Sequence, residues 1–254
     1  MSIKTATLNG VATIEIARPE KKNAITVDMY AAMAAALRAA DADPAVRAVL
    51  ITGQPGIFTS GNDLEDFMQR PAQTGGGPAF DFMKALIGCD KPVVAAVTGA
   101  AIGIGTTMLL HCDFVYVSDE ARLAMPFVSL GLVPEFASSL VFPQLVGNVK
   151  AAEKLLLGEP FTAEEAVELR IANAVIAASE VVNHARRIAE RFNALPPGAV
   201  RETKRLLRRA SADAVLQTIA VEGAVFGERL ASPEAREAFS AFFQKRKPDF
   251  SKFS

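Results

Sequence analysis

Two glycine-bearing segments of this 254-residue chain have the makings of an anion site. They are Ile57-Phe-Thr-Ser-Gly-Asn-Asp-Leu64 and Thr98-Gly-Ala-Ala-Ile-Gly-Ile-Gly105. Each follows a short apolar run, Ala48 to Thr52 in the first case and Val93 to Val97 in the second. Each leads into a helical pattern. Backbone N–H groups at a helix start have no intrahelical partner and lie at the positive end of the helix dipole. Two such turns side by side in one sheet can aim two N–H groups at one oxygen, the arrangement of an oxyanion hole. The same glycines equally serve tight packing of helix on strand, and spacing alone does not choose. A third segment, Leu130-Gly-Leu-Val-Pro-Glu-Phe-Ala-Ser-Ser139, carries one carboxylate, Glu135. Its neighbours Leu132, Val133, Phe136 and Phe127 point to an apolar pocket, which disfavours the charged form. The predicted helix from Pro134 toward Phe142 places Glu135 in its first turn, which favours it. A proton-accepting base and a solvated first-turn glutamate both fit the spacing.

Other chemistries lack their residues. His111 and His184 have no cysteine or carboxylate at ligand spacing, so no metal is expected. Cys89 and Cys112 form no CxxC pair and read as two buried thiols of a reducing compartment. There is no phosphate-binding GxxxxGK[ST] loop and no GxSxG elbow. Gly103-Ile-Gly105-Thr-Thr-Met108 begins like a dinucleotide fingerprint but has methionine at the third glycine.

The elements that must position these turns follow from local patterns. Asn9-Gly10 between β-branched stretches predicts a hairpin, ended by Arg18-Pro19. Thr26 is the predicted N-cap of a helix rich in alanine, which Asp43-Pro44 ends. Ala48 to Thr52, Val93 to Val97 and Phe114 to Val117 read as buried strands with helices between them, hence parallel pairing. Rossmann and barrel arrangements share that alternation. Gln73-Thr-Gly-Gly-Gly-Pro78 reads as a mobile loop. Thr162 to Glu165 is a capping box. Helical periods then run from Val181 to Ala194, Pro197 to Ala210, Ala212 to Leu230 and Pro233 to Gln244. This predicts an α/β core over residues 1–195 that carries the candidate anion site, and a helical region over residues 196–254.

Composition narrows the function classes. Half the residues are hydrophobic and 22% are charged, which excludes disorder. The net charge of −1 provides no basic field for nucleic acid. The N-terminus lacks an apolar signal core, and the longest apolar stretch, Val93 to Leu110, is broken by glycine and threonine. A soluble, cytoplasmic protein with no membrane or nucleic-acid partner is expected.

Four strings occur in register: Arg18-Pro-Glu-Lys-Lys-Asn-Ala-Ile25, Phe58-Thr-Ser-Gly-Asn-Asp-Leu64, Lys91-Pro-Val-Val-Ala-Ala-Val-Thr-Gly-Ala-Ala-Ile-Gly-Ile-Gly105, and Cys112-Asp113. Together with Phe243-Gln-Lys-Arg-Lys-Pro-Asp-Phe250 they resemble the crotonase (enoyl-CoA hydratase/isomerase) superfamily across nearly the whole chain. The resemblance implies a spiral of ββα turns and C-terminal helices that mediate a homotrimer or a dimer of trimers. The apolar residues Leu206, Leu207, Val215, Leu216, Ile219, Phe226, Phe239 and Phe242 agree with such an interface. It implies an acyl-CoA substrate of fatty-acid metabolism and no cofactor beyond the coenzyme A of that substrate. The thioester oxygen would lie between the backbone amides of Asn62 and Ile104. Lys21, Lys22, Ala24, Ser60, Gly61, Asp63, Leu64, Gly103, Thr107 and Phe127 would line the substrate site.

The two glutamates of hydratases would fall at Thr107 and Phe127, and both are absent. The Pro134-Glu135 run is similar instead to the peroxisomal-type Δ3,Δ2-enoyl-CoA isomerase branch, which implies Glu135 as the base. Isomerisation of 3-enoyl-CoA to 2-trans-enoyl-CoA is therefore the expected activity. A hydratase or other lyase that recruits a different acid, and a non-catalytic acyl-CoA-binding module, are the alternatives. Asp63 and Asp113 are expected to tie turns. Arg201, Lys204, Arg205, Arg208 and Arg209 are expected on a solvated helix face.

Overall fold

The computed structural model describes residues 2–69 and 76–253, with only the backbone for 67–69. Part of the predicted Gln73–Pro78 loop lies outside the described residues. The chain opens with β1 (Ile3–Leu8) and β2 (Val11–Ile16), an antiparallel hairpin turning at Asn9-Gly10. Both turn residues have positive φ, 49° and 72°, as a tight two-residue hairpin requires. Next comes α1 (Val27–Ala42), whose first turn is capped by the Thr26 side chain, which accepts the Met29 N–H.

A unit of strand, strand and helix then repeats. β3 (Ala48–Thr52) and β4 (Gly56–Thr59) lead to α2 (Leu64–Gln69) and α3 (Pro78–Gly88). β5 (Val93–Val97) and β6 (Gly99–Ile102) lead to α4 (Ile104–Thr107) and a 3-10 turn at Met108–His111. β7 (Phe114–Ser118) and β8 (Arg122–Ala124) lead to α5 (Ser138–Val146) and α6 (Asn148–Leu157). The first strand of each unit joins one sheet, in order β1-β2-β3-β5-β7-β10, with β10 spanning Ala174–Ile176. The second joins another, β4-β6-β8-β9, with β9 spanning Phe161–Thr162. β3, β5, β7 and β10 pair in parallel, as do β4, β6 and β8. The fold is thus a ββα spiral, as the resemblance implies. Predicting parallel strands from apolar runs found β3, β5 and β7 of the large sheet but not the short β10, and in the small sheet missed β4, β6 and β8. Those strands are three or four residues long and glycine-rich or charged, with too few apolar positions to show a period.

The large sheet is covered on both faces, which is why its strands read as unbroken apolar runs. Val49, Ile51, Val93, Ala95 and Val97 face the main core. Ala48, Leu50, Val94 and Ala96 face the opposite side, where α8 (Val181–Glu190) contributes Val181, Ala185 and Ala189. α7 (Ala163–Glu168) begins with the predicted capping box, Thr162 and Glu165 bonding reciprocally.

Three helices end the chain: α9 (Pro197–Arg208), α10 (Ala212–Leu230) and α11 (Pro233–Phe243). The predicted apolar face divides between two directions. Val215, Ile219, Phe226 and Phe239 are buried in the core, while Leu206, Leu207, Leu216 and Phe242 are exposed. The solvated basic face needs correction. Lys204 is buried, donating to the Lys91 carbonyl at 2.6 Å and pairing with Asp113, and Arg208 donates to Asp113 and to the His111 carbonyl. These contacts tie α9 to the loops beneath the large sheet. Arg205 does face solvent, paired with Asp90 and Glu202. Among the described residues no helix is long and apolar enough to cross a membrane.

Candidate functional site

The first glycine turn is held against the segment after the hairpin. Asn23, fully buried, accepts the Arg18 N–H at 2.7 Å and donates to the Ile57 and Phe58 carbonyls. The Thr59 hydroxyl donates to the Asn23 carbonyl at 2.7 Å. The Ser60 amide donates to Lys22, the Ile25 amide to Gly61 and the Asp63 amide to Ile25. This ladder uses the Gly61 carbonyl and the Asp63 amide, which turns the Asn62 N–H to the other side. Asp63 fixes the next step, accepting the Glu65 and Asp66 amides and pairing with Arg18 at 2.5 Å. Burial raises its carboxyl, but the Arg18 hydrogen bond and the amides more than offset this and hold it below the usual range. The Lys22–Ile25 segment therefore borders the Ser60–Asp63 turn. Lys21 points outward and pairs with Glu65 at 3.4 Å.

The second glycine turn lies beside the first. β4 and β6 pair with Thr59 opposite Ala101, so Asn62 and Ile104 each sit three residues beyond the same register point. Neighbouring strands are only about 5 Å apart. Gly61 has φ +92°, and a Cβ there would fall 2.9 Å from the Ile102 carbonyl oxygen, so the close approach demands glycine. Gly103, with φ 57° and ψ −118°, occupies a region closed to other residues. Ile104 is the first residue of α4, where no intrahelical carbonyl reaches its N–H. Among the described residues no oxygen accepts either the Asn62 or the Ile104 amide.

Glu135 is not in a helix, contrary to the sequence-based expectation. α5 begins at Ser138, and Glu135 precedes it in a turn whose next two residues, Phe136 and Ala137, have φ 60° and 54°. Left-handed backbone at two consecutive non-glycine residues costs on the order of 1–3 kcal/mol each and needs support from its surroundings. Support comes from several directions. Ser138 donates both its amide and its hydroxyl to the Glu135 carbonyl. His111 lies 2.7 Å from the Phe136 carbonyl, so its Nε2 carries the proton, and its ring stacks on Phe136 at 4.2 Å. Burial pushes His111 down to about 4, keeping it neutral.

The Glu135 side chain is 7% exposed and accepts one hydrogen bond, from the Thr107 hydroxyl to Oε1 at 2.5 Å. Burial raises its proton affinity most. The Thr107 bond opposes this and the charge of Glu222 adds to it, leaving the carboxyl at about 8. The two predicted influences thus resolve in favour of burial. Thr107 ends α4, one helical turn from Ile104, so the carboxylate and the second glycine turn share an element. Phe127 is buried, its ring 3.8 Å from where a Gly103 Cβ would stand.

Two residues at the site escaped the sequence reading. Tyr30, buried on α1, donates its hydroxyl to Asn62 Oδ1 at 2.5 Å. Burial and the charge of Glu135 both raise its proton affinity. A tyrosine amid alanines on an apolar helix is the one signal that pointed to it, since a buried phenol needs a partner. Glu222 on α10 is the second. It falls in the register of Val215, Ile219 and Phe226, so the helical period placed a carboxylate on the buried face. Among the described residues no group of His, Cys, Asp or Glu is arranged to hold a metal ion. Burial pushes Cys89 up to about 11 and Cys112 up to about 12, so both thiols stay protonated.

Comparison with known proteins follows this geometry. The enoyl-CoA hydratase/isomerase family model matches residues 6–252. Enoyl-CoA delta isomerase 2 of Rattus norvegicus is 36% identical over 243 residues, 93% of this chain. The chain spans only 62% of that protein's length. Short-chain-enoyl-CoA hydratase of Clostridium acetobutylicum is 30% identical over 93% of this chain and 92% of its own. Among solved structures, Pseudomonas aeruginosa OdaA is 50% identical with a TM-score of 0.93, covering 95% of this chain and 98% of its own.

Proposed function

The chain belongs to the enoyl-CoA hydratase/isomerase family, and on that premise we propose that it converts 3-enoyl-CoA thioesters to 2-trans-enoyl-CoA. The observation that carries this reading is a buried carboxylate, Glu135, bonded to Thr107 on the helix that starts at Ile104. The two positions at which the family resemblance puts hydratase glutamates hold Thr107 and Phe127, neither of which can activate water as a carboxylate does.

The chemistry suits one base. The C2–H of a 3-enoyl thioester is acidified because the resulting carbanion delocalises into both the carbonyl and the alkene. Glu135 takes the C2 proton, and the electron pair moves onto the thioester oxygen as a dienolate. The Asn62 and Ile104 amides hold that oxygen, a contribution worth about 100–1,000-fold in rate per donor. The protonated Glu135 returns the proton at C4 while the carbonyl re-forms and the double bond moves into conjugation. A carboxyl whose proton affinity lies near neutrality suits both taking and returning a proton. Lys21, Lys22 and Ala24 border the coenzyme A portion. Ser60, Gly61, Asp63, Leu64 and Gly103 shape the thioester end, and Phe127 and Thr107 flank the acyl chain. The exposed Leu206, Leu207, Leu216 and Phe242 support assembly into trimers.

The test is to incubate the protein with 3-enoyl-CoA and with 2-enoyl-CoA while following conjugated-thioester absorbance. Conjugation should form from the first and persist in the second. Loss of conjugation from 2-enoyl-CoA identifies a hydratase. Silence with measurable coenzyme A binding identifies a non-catalytic module. Glu135→Gln should abolish exchange of the C2 proton with deuterated solvent, and equal exchange in both proteins removes Glu135 from the mechanism.

A further inference from the structure

We propose that Glu222 of the C-terminal helix α10 is a positioning residue for Glu135: it anchors the left-handed Phe136–Ala137 turn and holds a fixed negative charge behind the base. The inference rests on the proposed role of Glu135. The Glu222 carboxylate is buried and accepts three donors, all from the segment just after Glu135. The Ala137 amide reaches Oε2 at 2.6 Å, the Ser139 amide reaches Oε1 at 2.9 Å, and the Ser139 hydroxyl reaches Oε1 at 2.5 Å. Both oxygens acting as acceptors is the pattern of the ionised group. These are also the first amides of α5, which has no side-chain cap of its own, and an anion is favoured there. The turn that aims Glu135 is therefore shaped from a helix over 80 positions further along the chain.

The two carboxylates are unequal partners. Glu222 is surrounded by donors, whereas Glu135 receives one, from Thr107. Burial raises the Glu222 carboxyl above its usual range, and its three hydrogen bonds offset only part of that rise. A charge on Glu222 adds to the burial of Glu135 and makes Glu135 the group that takes the proton. The other groups around Glu135 are the Tyr30 phenol from α1 and the Thr107 hydroxyl from α4. Neutral His111 lies behind Phe136, with Arg208 on the far side of His111. None of these supplies a second negative charge.

Two substitutions separate anchoring from charge. Glu222→Gln removes the charge, and its amide can accept from only one of the two backbone donors. Glu222→Asp keeps the charge but is too short to span Ala137 and Ser139. Carbon-13 NMR of labelled glutamate carboxyls, with Glu135→Gln identifying the signal, reads the Glu135 titration without any substrate. The midpoint should fall by about one pH unit in Glu222→Gln and stay within a few tenths in Glu222→Asp. In the isomerase assay both variants should lose about tenfold in kcat with KM changed less than about twofold. In Glu222→Gln the acid limb of the pH profile should move down with the midpoint. An unchanged Glu135 midpoint in Glu222→Gln overturns the proposal. If Glu222→Gln does not fold, Glu222→Asp decides: wild-type kcat overturns the proposal, and a fall in kcat at constant KM upholds it. Wild-type protein that forms no conjugated thioester, with the Glu135 midpoint still responding to Glu222, overturns the isomerase reading and leaves the coupling standing.

Discussion

Removing the charge of Glu135 should stabilise the protein by an amount that grows with pH. Its carboxyl is raised from 4.5 to about 8 by burial, opposed by the Thr107 hydrogen bond and reinforced by Glu222. Between those two values the native state keeps a proton that the unfolded chain has released. Stability therefore falls as pH rises through this window. The contribution is fully present below about 4.5 and lost once pH passes about 8. At about 1.4 kcal/mol per pH unit, the loss is roughly 3 kcal/mol by pH 7 and roughly 5 kcal/mol above pH 8. Glutamine is near-isosteric, neutral at every pH, and still accepts from the Thr107 hydroxyl. Glu135→Gln should thus match wild type in urea denaturation at about pH 4 and exceed it progressively at about pH 7 and 9. Titrating groups that do not interact with Glu135 are common to both proteins and cancel in the difference, while the repulsion from Glu222 is already part of the raised Glu135 carboxyl. A stability gap of the same size at all three pH values would falsify the claim that Glu135 is held against its charged form. The same variant should lose isomerase turnover, so gain in stability and loss of function would come from one atom.

Three further substitutions probe the groups around it. Thr107→Val deletes the hydroxyl that donates to Glu135. It should raise the carboxyl by about one pH unit and lower the rate near neutrality about tenfold, with recovery above about pH 9 in the pH–rate profile. Tyr30→Phe leaves Asn62 Oδ1 without its phenol donor. It should cost about 1–3 kcal/mol in urea denaturation and reduce kcat more than it raises KM. Gly61→Ala forces a Cβ to within 2.9 Å of the Ile102 carbonyl at a φ of +92°. It should move the Asn62 amide and cost about 100-fold or more in kcat/KM while secondary structure by circular dichroism is retained.

What was legible in the sequence depended on range. The Asn9-Gly10 hairpin, the Thr26 cap and the Thr162–Glu165 capping box are local chemistry between residues a few positions apart, and the structure contains all three. The runs around Leu50, Val94 and Val115 identified the large sheet because burial on both faces leaves no polar interruption. The small sheet was invisible because β4, β6 and β8 are stabilised by pairing with one another and not by their own composition. The two glycine turns were visible as turns, but their adjacency is a register between β4 and β6 that no local pattern encodes. Glu135 was misplaced into α5 since Pro134 reads as a helix start. The left-handed Phe136 and Ala137 that displace the helix to Ser138 are held by contacts from His111 and Glu222, far along the chain. The solvated reading of Lys204 and Arg208 failed for the same reason, because Asp113 lies 95 positions before Arg208 in sequence and beside both side chains in space.

The surroundings of Glu135 make sense as a device for moving a proton in both directions. A cation beside it would hold the carboxylate ionised and leave it a poor donor at C4. Among the described residues neither Glu135 nor Glu222 forms an ion pair, although the protein uses buried and half-buried pairs elsewhere, as at Arg18–Asp63 and Lys204–Asp113. Hydroxyls touch the site instead, Thr107 on Glu135 itself and Tyr30 on Asn62. A hydroxyl can donate to the carboxylate and accept from the carboxylic acid, so Thr107 need not be displaced as the proton comes and goes. A glutamate at position 107 would add a second carboxyl competing for the same proton, and the pair would titrate as a unit. On the proposed mechanism, threonine there leaves Glu135 as the single proton carrier, and Glu222 raises its affinity from a distance without touching the proton. Loss of Thr107 should change when Glu135 is charged, whereas loss of Glu222 should change both its charge and its aim, a difference that the pH–rate profiles of Thr107→Val and Glu222→Gln can resolve.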